Sequence, residues 1–158
     1  MIEYSRVELG KAAKERGFVR DTFEKVLRLK EILRYFNEDK YLKEHLVLKG
    51  GTAINMTIFN LPRLSVDIDM DFTPNYSKAD TEVNRKEITE RLQRYMQEEG
   101  YHLSESSRYS HSLDSFLFQY QNAGGNRDNI KVEINYSLRS HIFAPVERKI
   151  VTDAFDDS

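Results

Sequence analysis

Eight consecutive residues, Ser65-Val66-Asp67-Ile68-Asp69-Met70-Asp71-Phe72, alternate strictly between polar and apolar side chains. A period of two marks a β-strand with one face on a core and the other turned away from it. Val66, Ile68, Met70 and Phe72 make the inward row, and Asp67, Asp69 and Asp71 the outward one. Aspartate is among the poorest strand formers, and charges two residues apart on a strand stand only about 6.5–7 Å from each other. Lys, Thr or Gln would serve a plain solvent face with less repulsion. Such a strand therefore needs a sheet around it, and either water or a cation in front of its carboxylates.

Other segments supply the sheet. Ile130, Val132, Ile134 and Tyr136 alternate with Lys131, Glu133 and Asn135, and Phe116, Phe118 and Tyr120 share a face of a strand over 112–120. His45–Lys49 reads as a short strand, 101–106 as a weak one, and 147–152 as a last one. Gly124-Gly125 sits in a hairpin-type loop over 121–129. Helices are predicted over 5–16, ending at Gly17, and over 21–37. In the second, Phe23, Val26, Leu27, Leu29, Ile32, Leu33 and Phe36 form a stripe behind Asp21 as N-cap. A two-turn helix over 53–59 breaks at Pro62. A long helix over 78–99 places Val83, Ile88, Leu92, Tyr95 and Met96 inward, with Gly100 as C-cap. The mixture predicts an α+β fold, with helices packed on one side of a mixed or largely antiparallel sheet. With 158 residues and no internal repeat or Pro/Gly-rich linker, a single domain over 1–158 is expected. It divides into a helical N-terminal segment, 1–40, and an α/β core, 41–158.

Composition excludes several classes. There is no cysteine, hence no disulfide scaffold, zinc–thiolate site or thiol nucleophile. No apolar run approaches the roughly 18 residues a bilayer needs, and the N-terminus is too charged for a signal peptide. A soluble, cytoplasmic protein with no membrane partner is expected. Net charge is −2, without the basic excess that marks many nucleic-acid binders. The charge is uneven, however: residues 1–49 hold 12 basic and 9 acidic residues, the remainder 12 and 17. The four histidines lack metal-ligand spacing. Tyr109, Tyr120 and Tyr136 could stack a base, although aromatic residues on strands more often belong to the core.

Two segments carry chemistry. Asp67 and Asp69, with Glu133 from another alternating strand, form an oxygen-only donor set suited to a hard divalent cation. A calcium loop beginning at Asp67 is excluded, because Phe72 stands where glycine is required and Lys78 where glutamate is. Upstream, Gly50-Gly51-Thr52 joins a strand to a short helix. Adjacent glycines allow backbone N–H groups to approach an anion, and a helix N-terminus favours negative charge. It is not a Walker A sequence, because Lys49 precedes the glycines instead of following them. Arg63 and Ser65 lie between the two segments, with a guanidinium that could pair with phosphate.

Lys49-Gly50-Gly51-Thr52-Ala53 followed by Arg63-x-Ser65-x-Asp67-x-Asp69 resembles the DNA-polymerase-β-type nucleotidyltransferases. More narrowly, it resembles the AbiEii/AbiGii-type nucleotidyltransferase toxins of toxin–antitoxin and abortive-infection systems, over about residues 21–137. Lys131-Val132-Glu133-Ile134 resembles the segment supplying that family's third carboxylate. The resemblance implies a polymerase-β-like fold and metal-dependent transfer of NMP from an NTP to an acceptor hydroxyl. It implies RNA, particularly tRNA, as acceptor, a cognate antitoxin as partner and a role in phage defence. It also implies two Mg2+ ions, with Mn2+ as substitute, on Asp67, Asp69 and Glu133. Lys49, Gly50, Gly51, Thr52, Arg63 and Ser65 would hold the nucleotide phosphates. The family's C-terminal, largely helical region is expected to be missing, which leaves a catalytically incomplete nucleotide- or partner-binding module as one alternative. A Mg2+-dependent phosphohydrolase using the same carboxylates is another.

Overall fold

A computed structural model describes residues 5–17, 19–49 and 67–137. Three helices come first: α1 (Arg6–Glu15), α2 (Arg20–Glu38) and α3 (Lys40–His45). Strands β1 (Leu46–Lys49) and β2 (Asp67–Phe72) precede the long helix α4 (Lys78–Glu98). After it come the short β3 (His102–Leu103) and β4 (Arg108–Tyr109), then β5 (Leu113–Gln121) and β6 (Arg127–Asn135). The strands form one mixed sheet in the order β1-β2-β6-β5-β3, with β4 also on β5. Among the described residues, only β2 and β6 run parallel; every other pair is antiparallel. The α+β architecture with N-terminal helices is the one the sequence predicts.

The alternating segments fold as their period requires. Ile68, Met70 and Phe72 of β2, Ile130, Val132 and Ile134 of β6, and Phe116, Phe118 and Tyr120 of β5 are buried in one core. Against this row pack Leu29, Ile32, Leu33 and Phe36 of α2, Leu42 of α3, and Ile88, Leu92 and Met96 of α4. These helices thus share one face of the sheet, and α1 packs on α2 through a small second cluster of Leu9, Ala13 and Phe23.

Several boundaries differ from expectation, each for a local reason. The N-cap of α2 is Val19, whose side chain makes no capping bond; Asp21 lies inside the first turn, where a carboxylate still favours the helix dipole. Residues 40–45 are helical because the Asp39 carboxylate accepts the Leu42 N–H at 3.0 Å, so His45 ends a helix instead of beginning β1. Val83 is 70% exposed: five residues before Ile88 puts it about 140° around the helix from the buried 88–92–96 stripe. Thr81 is buried in that first turn. The weak strand expected over 101–106 shrinks to His102–Leu103, and the β5–β6 loop is shorter than predicted, because Gln121 already pairs with Arg127. Gly125 takes φ +89° in that loop, which glycine adopts without strain.

The hairpin is also tied to α2. Glu24, fully buried, accepts the Ala123 N–H at 2.7 Å and Arg28 Nε at 2.9 Å, and Lys25 Nζ lies 2.6 Å from Asp128. The predicted helix over 53–59, the break at Pro62 and the strand over 147–152 lie outside the described residues. Among the described residues, no helix is long and apolar enough to cross a membrane.

Candidate active site

The face of the sheet opposite the helices carries the acidic row. Sheet register sets its geometry. Asp69 of β2 stands directly beside Glu133 of β6, with Lys49 of β1 on its other side and Ser115 of β5 beyond Glu133. One rung away, Asp67 stands beside Lys131, and on the other side Asp71 is flanked by Val47 and Asn135. The β2–β6 register makes this possible, since it sets polar residue against polar residue so that both polar rows share a face. Neighbouring strands are about 4.8 Å apart, so Lys49, Asp69, Glu133 and Ser115 lie in one line across four strands.

The electrostatics record this crowding. Partial burial, then the nearby Glu133 and Asp67 carboxylates, push the Asp69 carboxyl above its usual range, while Lys49 and Lys131 pull it back. Lys131 Nζ lies 2.8 Å from Glu133 Oε1. That bond, reinforced by the charge of Glu133 and then of Asp67 and Asp69, holds the ammonium above its ordinary range. At Asp71, Oδ1 is buried without a hydrogen-bond partner.

The donor chemistry fits a hard divalent cation. All three candidate ligands are carboxylates on adjoining rungs, their mutual repulsion already raises Asp69, and an orphaned carboxylate oxygen lies one rung further on. Yet no group of three or more His, Cys, Asp or Glu side chains is gathered to hold a metal among the described residues. The backbone positions converge, whereas the Glu133 carboxylate is engaged by Lys131. The structure thus brings together Lys49, Asp67, Asp69 and Glu133. Gly50, Gly51, Thr52, Arg63 and Ser65 lie outside the described residues.

Sequence reasoning gave no role to Lys131, Asp71 or Ser115. Lys131 could have been found from the two-residue offset that puts it on the face of Glu133. The place of Ser115 depends on the β5–β6 register, which no single segment carries. Of the three tyrosines, Tyr120 and Tyr136 are buried, and Tyr109 is exposed at the sheet edge.

The fold is thus an α+β sheet with helices on one face and a carboxylate row on the other. The family model described as nucleotidyl transferase AbiEii toxin, Type IV TA system, matches residues 31–158. The chain belongs to this family: it is a nucleotidyltransferase toxin of a Type IV toxin–antitoxin system. Membership implies a nucleotide substrate, an antitoxin and, in general terms, a metal cofactor. No curated protein and no solved structure matches the chain. The matched region begins within α2, although Glu24, Lys25, Arg28 and Leu29, which tie that helix to the hairpin and core, precede it.

Proposed function

We propose that the Lys49–Asp69–Glu133 row is the centre of a metal-dependent transfer of NMP from an NTP to an RNA hydroxyl, with a tRNA 3′ end as the favoured acceptor. The alignment of these three residues across β1, β2 and β6 carries the reading. In it, Asp67, Asp69 and Glu133 hold Mg2+, two ions in the full site, in a polymerase-β-like arrangement. Once bound, the metal neutralises triphosphate charge and lowers the pKa of the acceptor hydroxyl.

The chain's own groups do the rest. Lys49 ends β1 on the Asp69 rung and leads directly into Gly50-Gly51-Thr52, so its ammonium is placed to meet β- and γ-phosphate oxygens. The glycine backbone N–H groups and Thr52 hydroxyl orient the same phosphates, with Arg63 and Ser65 adding contacts. Glu133 accepts the proton as the acceptor oxygen bonds to the α-phosphorus. The bond from that phosphorus to the bridging oxygen breaks, and pyrophosphate leaves.

Incubation of the protein with each labelled NTP, Mg2+ and total tRNA, beside Asp69→Ala, tests the proposal. Label in RNA with the wild type and none with the variant is expected. Equal labelling by both would remove Asp69 from the chemistry. Nucleotide binding without transfer would favour a binding module. Release of inorganic phosphate without RNA labelling would favour a phosphohydrolase.

A further inference from the structure

Three carboxylates on two adjoining rungs make a charge cluster that repels itself in the absence of metal. Among the described residues, the cationic side chains of those rungs on β1 and β6 are Lys49 and Lys131, while Arg108 of β4 stands two strands from Glu133, beyond Ser115. The two lysines are placed differently. Lys49, at the sheet edge, is exposed. Lys131 stands inside the cluster: its backbone pairs with Asp67, while its Nζ reaches along β6 to Glu133 Oε1 at 2.8 Å.

We propose that Lys131 is the built-in counter-cation of the carboxylate row, holding Glu133 in the metal-free protein and competing with the divalent cation for it. The proposal rests on the nucleotidyl-transfer reading above. The ammonium is the simplest group that could occupy this place. It neutralises one unit of charge, stands on a flexible four-carbon stem and can rotate away without disturbing the strand. When Glu133 turns to the metal, Lys131 loses its bond but stays on the face where the triphosphate lies, one rung from Asp69. It thereby becomes a positioning residue with two states: partner of Glu133 before loading, and phosphate neighbour after it. This also accounts for the absence of a formed metal-holding group among the described residues, although the donors stand in register.

The test is Mn2+ binding by the full chain without nucleotide, measured by titration calorimetry and by loss of the free-ion electron paramagnetic resonance signal. Thermal unfolding is followed in EDTA and in Mn2+. Lys131→Met is expected to bind Mn2+ about threefold to tenfold more tightly than the wild type, because removing a unit positive charge a few ångströms away strengthens cation binding even after screening. The same variant should melt lower than wild type in EDTA and regain stability in Mn2+. Lys131→Arg, which keeps the charge, should stay near the wild-type affinity.

Unchanged or weaker Mn2+ binding by Lys131→Met would overturn the proposal, and Lys131→Gln carries the same test if the methionine variant does not fold. Asp69→Asn separates the two levels of the argument. If wild type and Asp69→Asn bind Mn2+ equally, or neither binds it, the metal-dependent reading itself fails. If Asp69→Asn loses binding while Lys131→Met matches wild type, only the counter-cation role fails.

Discussion

The two faces of the sheet treat carboxylates in opposite ways. On the helix-covered face, the inward row of β5 contains one acid, Asp114, and it is fully matched. Arg85 of α4 grips it through Nε at 3.0 Å and Nη2 at 2.5 Å. The same guanidinium donates to the carbonyls of Ser110 and His111, each at 2.7 Å, and lies over the Tyr136 ring at 4.9 Å. On the opposite face, Asp67, Asp69, Asp71 and Glu133 occupy three consecutive rungs, with one ammonium among them and a second at the edge. A chain that can satisfy a buried acid so completely has the means to do so twice. Asp114 thus serves the fold itself, whereas the acids of the opposite face crowd one another and raise Asp69; under the proposed function that face is kept for a ligand.

Substitutions on each face sharpen the contrast. The largest loss of stability is expected from Phe116→Ala, which empties a fully buried site in the main core. It should cost about 3–5 kcal/mol, read from the urea midpoint at unchanged slope. Asp114→Ala comes next, at about 3 kcal/mol, because it leaves the Arg85 guanidinium without its carboxylate in a largely buried place. A double-mutant cycle with Arg85→Leu should recover much of that loss; simple additivity would break the assigned pairing. Glu24→Ala should cost about 1–3 kcal/mol by orphaning the Ala123 N–H and removing the carboxylate to which Arg28 Nε donates. Hydrogen exchange at the β5–β6 loop should speed up in this variant; unchanged exchange there would deny the tie from α2.

The smallest effect has the opposite sign. The Asp69 carboxyl is raised in the folded protein by burial and by Glu133 and Asp67. The native state therefore binds more protons than the unfolded chain between the ordinary and raised values, and stability falls as pH climbs through that interval. Asp69→Asn removes this fall. Without metal, the variant should match wild type at acid pH and gain on it as pH rises into the carboxylate range, the gap levelling off by neutrality. Chemical unfolding in EDTA at a series of pH values checks this. A gap that shrinks with rising pH would mean that Asp69 stabilises the fold.

Much of this was legible in the sequence because period-two alternation is a local signal. Ile68-Asp69-Met70 and Val132-Glu133-Ile134 fixed their own faces, and with them which acids share a surface. Four-residue stripes did the same for Leu29–Phe36 and Ile88–Met96. Non-local facts were hidden. That β6 lies beside β2, parallel and with Glu133 on the Asp69 rung, depends on a crossover that no segment encodes alone. The reach of Lys131 to Glu133 and of Glu24 to Ala123 needs three dimensions as well. Helix α3 was missed because Asp39 caps only six residues, too few for a periodic stripe.

Under the proposed function, the acidic row serves chemistry and not folding. Transfer rate and melting temperature of Asp69→Asn, measured on one preparation of the full chain, test it most directly. The account predicts a fall in NMP transfer on the order of a thousandfold with metal-free stability equal to or above wild type. Retained transfer, or a loss of transfer that merely follows a loss of stability, would contradict it.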